Sequence, residues 1–227
     1  MRWTKLGAAF NVKASRSTPD IDQLLIDTAA VLSDNARLFS VVVSWLCKNY
    51  RLVCRHRLAG LASQINDPNT LATLGLILDM AKSKLDIDHF NNVIKKCSVM
   101  KKPGPLFAVD RRNSRFAKMA KAGSCQLGIK WGLWCEDVQL KDDVIRPSSW
   151  IMSENSRLKN RALFNGNLRA SILETMTYDK QAGQSESELA KCCGVTRKAL
   201  REALDHLEFC QMIKRRSVAG KTRTMLI

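Results

Sequence analysis

The sequence predicts a mainly α-helical fold that ends in a small β-hairpin. Apolar residues recur at helical spacing through most of residues 18–97, which predicts an N-terminal array of helices. Two further helical segments, joined by a glycine-containing turn, follow near the C-terminus. Basic residues then flank Ala219-Gly220, which is typical of two short strands joined by a tight turn.

The composition favours a globular protein with an anionic partner. The chain has 227 residues, of which 45% are hydrophobic and 26% charged, enough for one or two domains with a sizeable core. Lysine and arginine together number 37 against 21 aspartate and glutamate residues, so the net charge is +16. Such an excess favours nucleic acid, and less strongly a membrane surface. The longest apolar stretch, residues 38–47, is too short to span a bilayer, so we predict no membrane partner.

The cysteines and the N-terminal residues bear on the compartment. The first five residues are polar, and no apolar core of a secretory signal follows them. Several of the 8 cysteines occupy core-like helical positions, and they include no pair of Cys-x-x-Cys knuckles. Free, reduced thiols are the ordinary state of such cysteines, so we expect a cytoplasmic protein.

The first 97 residues divide into an arm and a helical domain. Residues 1–17 are polar and basic without a clear period, and we predict a mobile basic arm there. Residues 18–97 are predicted as a helical domain. One helix is expected to begin at Thr18-Pro19-Asp20, and a second is expected to begin at Asp34 or Asn35. Three further helices are expected over residues 55–65, 69–85 and 88–96.

Residues 98–165 are predicted as a basic linker region with short helices and a possible strand, and this segment could belong to either neighbouring domain. The alternation of apolar residues over 126–135 predicts the strand, and residues 112–122 are predicted as a helix with Phe116 and Met119 on its inner face. The basic residues allow two interpretations. They form a second contact with the DNA backbone, with affinity from counterion release, or they are a solvated linker and helix face. The residues concerned are Lys101, Lys102, Arg111, Arg112, Arg115 and Lys118.

Residues 166–227 carry the most informative pattern. Residues 168–176 are predicted as the first helix of this domain. Ser185 and Glu188 have the spacing of a capping box, Gly194 suits a turn that needs a positive φ, and Thr196 is a good N-cap for the next helix. In that last helix Leu200, Ala203, Leu204 and Leu207 form one apolar stripe.

Basic residues surround this pair of helices where a nucleic acid could meet them. Arg197, Lys198 and Arg201 lie off the apolar stripe, near the end that enters the major groove in helix-turn-helix proteins. A basic hairpin follows, as a phosphate-contacting wing requires. We therefore predict a winged helix-turn-helix that binds double-stranded DNA through Ser185, Thr196, Arg197, Lys198, Arg201, Lys214, Arg215, Arg216, Lys221 and Arg223.

The segment GVTRKALREALDHLE resembles the helix-turn-helix of GntR-type bacterial regulators, and more loosely that of MarR-type regulators. In the GntR type, the positions that match Thr196, Arg197 and Arg201 commonly contact DNA. The resemblance implies a prokaryotic transcriptional regulator, and the family habit suggests a homodimer on two half-sites about one helical turn apart. The chain departs from the family in two respects. Gln211 stands where glycine is usual, and the motif is C-terminal instead of N-terminal, so the effector-binding domain of the family is not carried over.

Other functions fit the same pattern. The protein could be a scaffold or DNA-anchoring subunit of a larger nucleic-acid-processing or defence complex, with the winged helix on nonspecific DNA, RNA or a protein. A winged helix can also serve only in packing, although the basic solvent side of helix and hairpin favours nucleic acid. The N-terminal helical domain would supply homodimerisation or bind a protein partner.

No catalytic or metal-binding constellation stands out, and we predict no enzyme activity, cofactor or metal. His56 lies near Cys54 and Cys47 at a spacing that matches no usual zinc site. Cys135 has no histidine near it in sequence, although folding could bring His56 or His89 close. The paired aspartates at 86 and 88 and at 142 and 143 lack the Glu-x-Lys of a nuclease, and there is no phosphate-binding Gly-Lys-Ser/Thr loop.

Three tryptophans, Trp131, Trp134 and Trp150, lie close together in sequence. They could stack on single-stranded bases, or they could form an apolar seam between the two domains.

Overall fold

The protein folds into two compact units in the computed structural model, which describes residues 1–218 and 221–227. The first unit comprises Met1–Tyr50 and Ile65–Arg157, and the second comprises Arg51–Gln64 and Leu158–Ile227. The chain therefore enters the second unit twice. The predicted domains 18–97, 98–165 and 166–227 do not coincide with these units, because a short segment from the first half of the chain belongs to the C-terminal unit.

The secondary structure confirms the predicted fold class, which is mainly α with a small C-terminal hairpin. The helices are α1 (Arg2–Lys5), α2 (Ile21–Val31), α3 (Ala36–Asn49), α4 (Arg55–Ala62), α5 (Pro68–Leu85), α6 (Asn91–Ile94), α7 (Ala108–Arg111), α8 (Ser114–Ala122), α9 (Gln126–Trp131), α10 (Ser148–Glu154), α11 (Lys159–Leu163), α12 (Leu168–Tyr178), α13 (Glu186–Cys192) and α14 (Arg197–Phe209). Strands β1 (Gly104–Pro105) and β2 (Leu133–Trp134) pair in parallel, and β3 (Ile213–Val218) and β4 (Lys221–Leu226) pair antiparallel. The predicted turn at Ala219-Gly220 lies outside the described residues.

The predicted helix starts in the first unit depend on side-chain caps. The side chain of Asp20 accepts a hydrogen bond from the backbone N–H of Gln23 at the start of α2. The side chain of Asn35 does the same for Leu38 at the start of α3. Such caps satisfy backbone N–H groups that have no partner within the helix. Sequence patterns therefore locate these helix starts well.

Helix α5 lies at the centre of the first unit and packs against α2, α3 and α9. A Cβ added to Gly75 would lie only 2.2 Å from the ring of Trp131, so α5 and α9 approach at a contact that glycine permits. The indole N–H of Trp131 donates to Asp79 Oδ2 at 3.0 Å. Trp131 is therefore part of the core of the first unit, and its indole is not placed to stack on a base.

The predicted mobile arm at residues 1–17 is wrong at its beginning. Residues Arg2–Lys5 form α1, and Trp3 is only 2% exposed. The indole N–H of Trp3 donates to Thr28 Oγ1 at 2.8 Å, and its ring meets that of Trp45 edge to face. A buried aromatic ring with a satisfied N–H anchors this segment to the first unit.

Residues 98–157 of the predicted linker region belong to the first unit and residues 158–165 to the second, and the predicted strand is mostly helical. Leu106, Leu133 and Ile145 are buried within the first unit. Residues Gln126–Trp131 form α9, capped by Cys125, and only Leu133–Trp134 form a strand. The helix ends because Gly132 adopts φ +69°, a left-handed conformation that suits glycine.

The second unit is built around α12, which packs against α4, α11 and α14. Its core includes Ile172, Leu200, Leu204 and Leu207, all fully buried. Helix α4 also packs against α13, and a Cβ on Gly60 would lie 1.9 Å from the carbonyl oxygen of Cys192. Residues Arg51–Gln64 are therefore a structural part of this unit.

Candidate nucleic-acid interface

The second unit presents two helices, a tight turn and a hairpin in the order that the sequence predicts. The Ser185 hydroxyl accepts from the Glu188 N–H at 3.1 Å and so caps α13. Gly194 adopts φ +60° in the turn, and Thr196 Oγ1 accepts from the Ala199 N–H at 3.3 Å at the start of α14. The caps at Ser185 and Thr196 and the glycine turn are confirmed, whereas the described residues show no hydrogen bond from the Ser185 N–H to the Glu188 carboxylate that would complete a capping box. The hydroxyl oxygens of Ser185 and Thr196 are therefore hydrogen-bonded to the backbone of the helices that they cap.

The apolar stripe of α14 is confirmed and determines which side of the helix faces solvent. Leu200, Leu204 and Leu207 are fully buried in the core of the second unit. Arg197, Lys198 and Arg201 lie on the opposite, exposed side. The N-terminal end of α14 therefore presents three basic side chains to solvent.

Helix α13 holds two of these three side chains in place. Arg197 Nη2 donates to Ser187 Oγ at 2.7 Å, and Arg201 Nε donates to Glu186 Oε2 at 2.8 Å. The Arg201 side chain is still 61% exposed. Arginine has five donors, so one carboxylate contact leaves others available while it restricts the side chain. This arrangement pre-organises two guanidinium groups at one end of the helix.

The side chains of the β3–β4 hairpin divide between an inner face towards the core and an outer face towards solvent. The register pairs Arg216 with Arg223 and Lys214 with Met225. Side chains alternate between the two faces of a strand, and Ile213 lies on the inner face, where it is 1% exposed. Lys214, Arg216 and Arg223 are exposed, and we call these three residues the outer wing face.

Arg216 and Arg223 stand directly opposite each other on this face. Like charges at opposed positions destabilise an antiparallel pair. Among residues 1–218 and 221–227, no carboxylate forms an ion pair with either arginine or with Lys214. The outer wing face is thus a concentration of positive charge without a described anionic partner.

Arg215 has a different role from the predicted phosphate contact. Its Nη2 lies 2.7 Å from Asp205 Oδ1 and 2.6 Å from Glu208 Oε2. Hydrogen bonds from Arg215 lower the pKa of the Glu208 carboxyl, and the bond to Glu208 raises the pKa of the Arg215 guanidinium. Arg215 therefore attaches β3 to the C-terminal half of α14, with its Nε and Nη2 donors engaged within the protein. The side chain of Lys221, also a predicted contact, is outside what the structure describes.

Gln211 connects α14 to the hairpin in a left-handed conformation, with φ +55°. A residue with a Cβ pays about 1 kcal/mol or more there, and glycine does not. We expect Gln211→Gly to raise the free energy of opening of the second unit by about 0.5–1 kcal/mol, measured by hydrogen exchange at the amides of α14. Gln211→Ala keeps the Cβ and is the control. An equal gain from alanine would show that backbone strain is not the cause.

The second basic region belongs to the first unit. Lys101, Lys102, Arg111, Arg112, Arg115 and Lys118 are all exposed there. Arg111 donates from Nε to the Pro105 carbonyl at 2.8 Å and from Nη2 to the Leu106 carbonyl at 3.1 Å, so it supports the loop before α7. Phe116 and Met119, which the sequence predicts on the inner face of α8, are instead 46% and 61% exposed.

No metal-binding cluster occurs among the residues that the structure describes. There, no three histidine, cysteine, aspartate or glutamate side chains lie close enough to hold a metal ion. Burial, with a smaller effect of Arg55, lowers the pKa of His56 to about 4. Burial raises the pKa of the Cys135 thiol well above its ordinary value, which disfavours the nucleophilic thiolate.

No family model matches the sequence, and no curated protein or solved structure is significantly similar to it. The likeness to GntR-type and MarR-type regulators therefore stays a prediction. In the described part of the chain, no helix combines the length and apolar character needed to cross a membrane.

Proposed function

We propose that the second unit binds double-stranded DNA, with the N-terminal end of α14 in the major groove and the outer wing face on the phosphate backbone. The observation that carries the proposal is the cross-strand pair of Arg216 and Arg223, reinforced by Lys214. Such a pair is unfavourable by itself and becomes favourable when phosphate groups lie against it.

The two parts of the surface have different roles. The outer wing face would hold phosphates, which position a protein on the duplex without reading its sequence. Arg197 and Arg201, restrained by α13, would reach base edges, where a bidentate arginine contact with guanine is the commonest specific contact. Lys198 is exposed beside them and would add a phosphate contact.

We further propose that the protein is a transcriptional regulator in the cytoplasm of a prokaryote. The support is the resemblance of the α13–α14 segment to bacterial regulators, and the homodimer expected from that family belongs to the same proposal. A DNA-anchoring subunit of a larger complex is the alternative, because the outer wing face is suited to phosphates and not to particular bases.

Salt dependence of duplex binding tests the function. Four exposed cations are expected to contact phosphates: Lys198, Lys214, Arg216 and Arg223. Four contacts predict a slope of about −3.6 for log affinity against log salt, so affinity should fall roughly 100-fold between about 50 and 200 mM KCl. Fluorescence anisotropy with a labelled duplex measures this. Affinity that does not change with salt, or no binding at low salt, would contradict the proposal.

Selection of bound duplexes from a random pool separates the two versions of the function. A regulator should enrich one motif, whereas an anchoring subunit should keep the steep salt slope and enrich none.

A further inference from the structure

A cleft of about 510 Å³ in the first unit plays no part in the proposed DNA-binding surface, which lies in the second unit. Its walls come from the first half of α3, from α7 and α8, and from the chain that contains and follows β2. Sites for small organic ligands have volumes of about 300–1,000 Å³. The cleft therefore has a suitable size for a small molecule.

Apolar side chains form much of the wall. Four aromatic rings line the cleft, from Phe39, Phe107, Phe116 and Trp134, together with the side chain of Met119. Phe39 and Phe107 meet edge to face with their ring centroids 5.8 Å apart. Phe116 and Met119 line the cleft and remain 46% and 61% exposed. A bound molecule with an apolar body would cover this surface, which is otherwise open to water.

Three of the four charged residues that line the cleft are acidic, although the chain as a whole carries +16. Asp110, Glu136 and Asp137 line the cleft, with Lys141 as the one lysine of the lining. Lys84 neutralises Asp137, with 3.0 Å between Nζ and Oδ2. In the described ranges 1–218 and 221–227, neither Asp110 nor Glu136 forms an ion pair. Two carboxylates thus remain available to a ligand.

One aromatic wall already contacts a cation. The Lys121 ammonium lies 5.3 Å from the centroid of the Trp134 ring, within the distance of a cation–π interaction. A positively charged ligand could use the remaining aromatic surface in the same way while its charge faces Asp110 or Glu136. Because neither carboxylate has an ion-pair partner in the described ranges, the two favour a cationic ligand over an anionic one.

We propose that this cleft binds a small organic cation with an aromatic or bulky apolar body. The cation would satisfy the carboxylates of Asp110 and Glu136, and the apolar body would cover the aromatic rings and Met119. The proposal is independent of DNA binding, because every residue that lines the cleft belongs to the first unit.

Isothermal titration of the full chain with tetraphenylphosphonium tests this directly. We expect saturable binding with one site per chain. The double variant Asp110→Asn/Glu136→Gln keeps the side-chain shapes and should bind at least about tenfold more weakly, the effect of one lost charge-assisted contact. Phe116→Ala/Met119→Ala removes apolar wall at exposed positions, keeps the charges and should also weaken binding about tenfold.

Two controls make the result decisive. Asp142→Asn/Asp143→Asn removes two exposed charges from the same unit outside the cleft and should bind like the unchanged chain. Tetraphenylborate has the same shape and the opposite charge and is titrated alone, because the two ions precipitate together; its binding should not change in Phe116→Ala/Met119→Ala. The proposal fails if no saturable binding occurs up to millimolar phosphonium. It also fails if either cleft double variant keeps its affinity for the phosphonium, if the control pair loses as much, or if Phe116→Ala/Met119→Ala weakens the borate as it weakens the phosphonium.

Discussion

Replacement of Arg216 and Arg223 together by alanine is expected to weaken duplex DNA binding about 10- to 100-fold at 0.1 M salt. Each lost phosphate contact reduces the salt slope by about one, so the double variant should show a slope shallower by about two. The hairpin should keep its stability or gain slightly, because the substitution removes two like charges at opposed positions. Anisotropy titrations at several salt concentrations, with a thermal unfolding curve for each protein, measure both effects.

The matched control removes the same charge elsewhere. Lys13 and Arg16 are exposed residues of the first unit, and Lys13→Ala/Arg16→Ala lowers the net charge equally. We expect this variant to bind DNA nearly as well as the unchanged chain. If both double variants lose affinity to the same extent, net charge alone determines binding, and the outer wing face has no special role.

Arg161→Ala is expected to destabilise the second unit by about 3–5 kcal/mol, the usual cost of breaking a buried ion pair from one side. Arg161 is 0% exposed, its Nη2 lies 2.8 Å from Glu174 Oε2, and Glu174 is 8% exposed at its side chain. Nη1 also donates to the Leu52 carbonyl at 3.0 Å, which links α11 to the segment before α4. The substitution removes the guanidinium that compensates the buried Glu174 carboxylate.

Hydrogen exchange at the amides of α12 is a suitable measurement, because a chain with two units need not unfold in a single step. Protection of these amides should fall strongly in Arg161→Ala. The control Arg161→Met/Glu174→Gln removes both charges with similar side-chain volume and should cost much less. If the single and double variants lose equal protection, the buried charge is not the reason for the loss.

Local patterns predicted the parts of the fold that depend on neighbouring residues. The cap at Thr196 and the stripe through Leu200 and Leu204 act within one helix, so their spacing was sufficient. The start of α2 was predicted only within Thr18-Pro19-Asp20, and Asn35 was one of two candidates for the start of α3. The error at residues 126–135 arose because a short apolar run fits both a helix and a strand. In the structure Cys125 caps the start of a helix at Gln126–Trp131 and Gly132 ends it, so most of this run is helical.

Contacts between distant segments could not be predicted from the same patterns. Residues Arg51–Gln64 join the C-terminal unit because Gly60 and Gly166 allow close backbone approach. Hydrophobic periodicity shows which face of a helix is buried, but it does not show which other segment covers that face. Arg215 was predicted as a phosphate contact because it is basic. Only the folded chain shows Asp205 and Glu208 beside it.

The cleft in the first unit was missed for a related reason. Phe116 and Met119 were placed on an inner face because large apolar residues at helical spacing are usually buried. The folded chain instead leaves them partly exposed along the cleft. Spacing within α8 indicates that they share one side, but it carries no information about the segments opposite them.

Lysine acetylation with and without duplex DNA, followed by mass spectrometry, tests the central claim most directly. Lys198 and Lys214 lie on the proposed surface, whereas Lys101, Lys102 and Lys118 lie on the basic region of the first unit, and all five are exposed. Bound DNA should protect Lys198 and Lys214 from acetylation, and Lys13 should react equally in both states. Unchanged reactivity of Lys198 and Lys214 on a duplex that is demonstrably bound would contradict binding through the second unit.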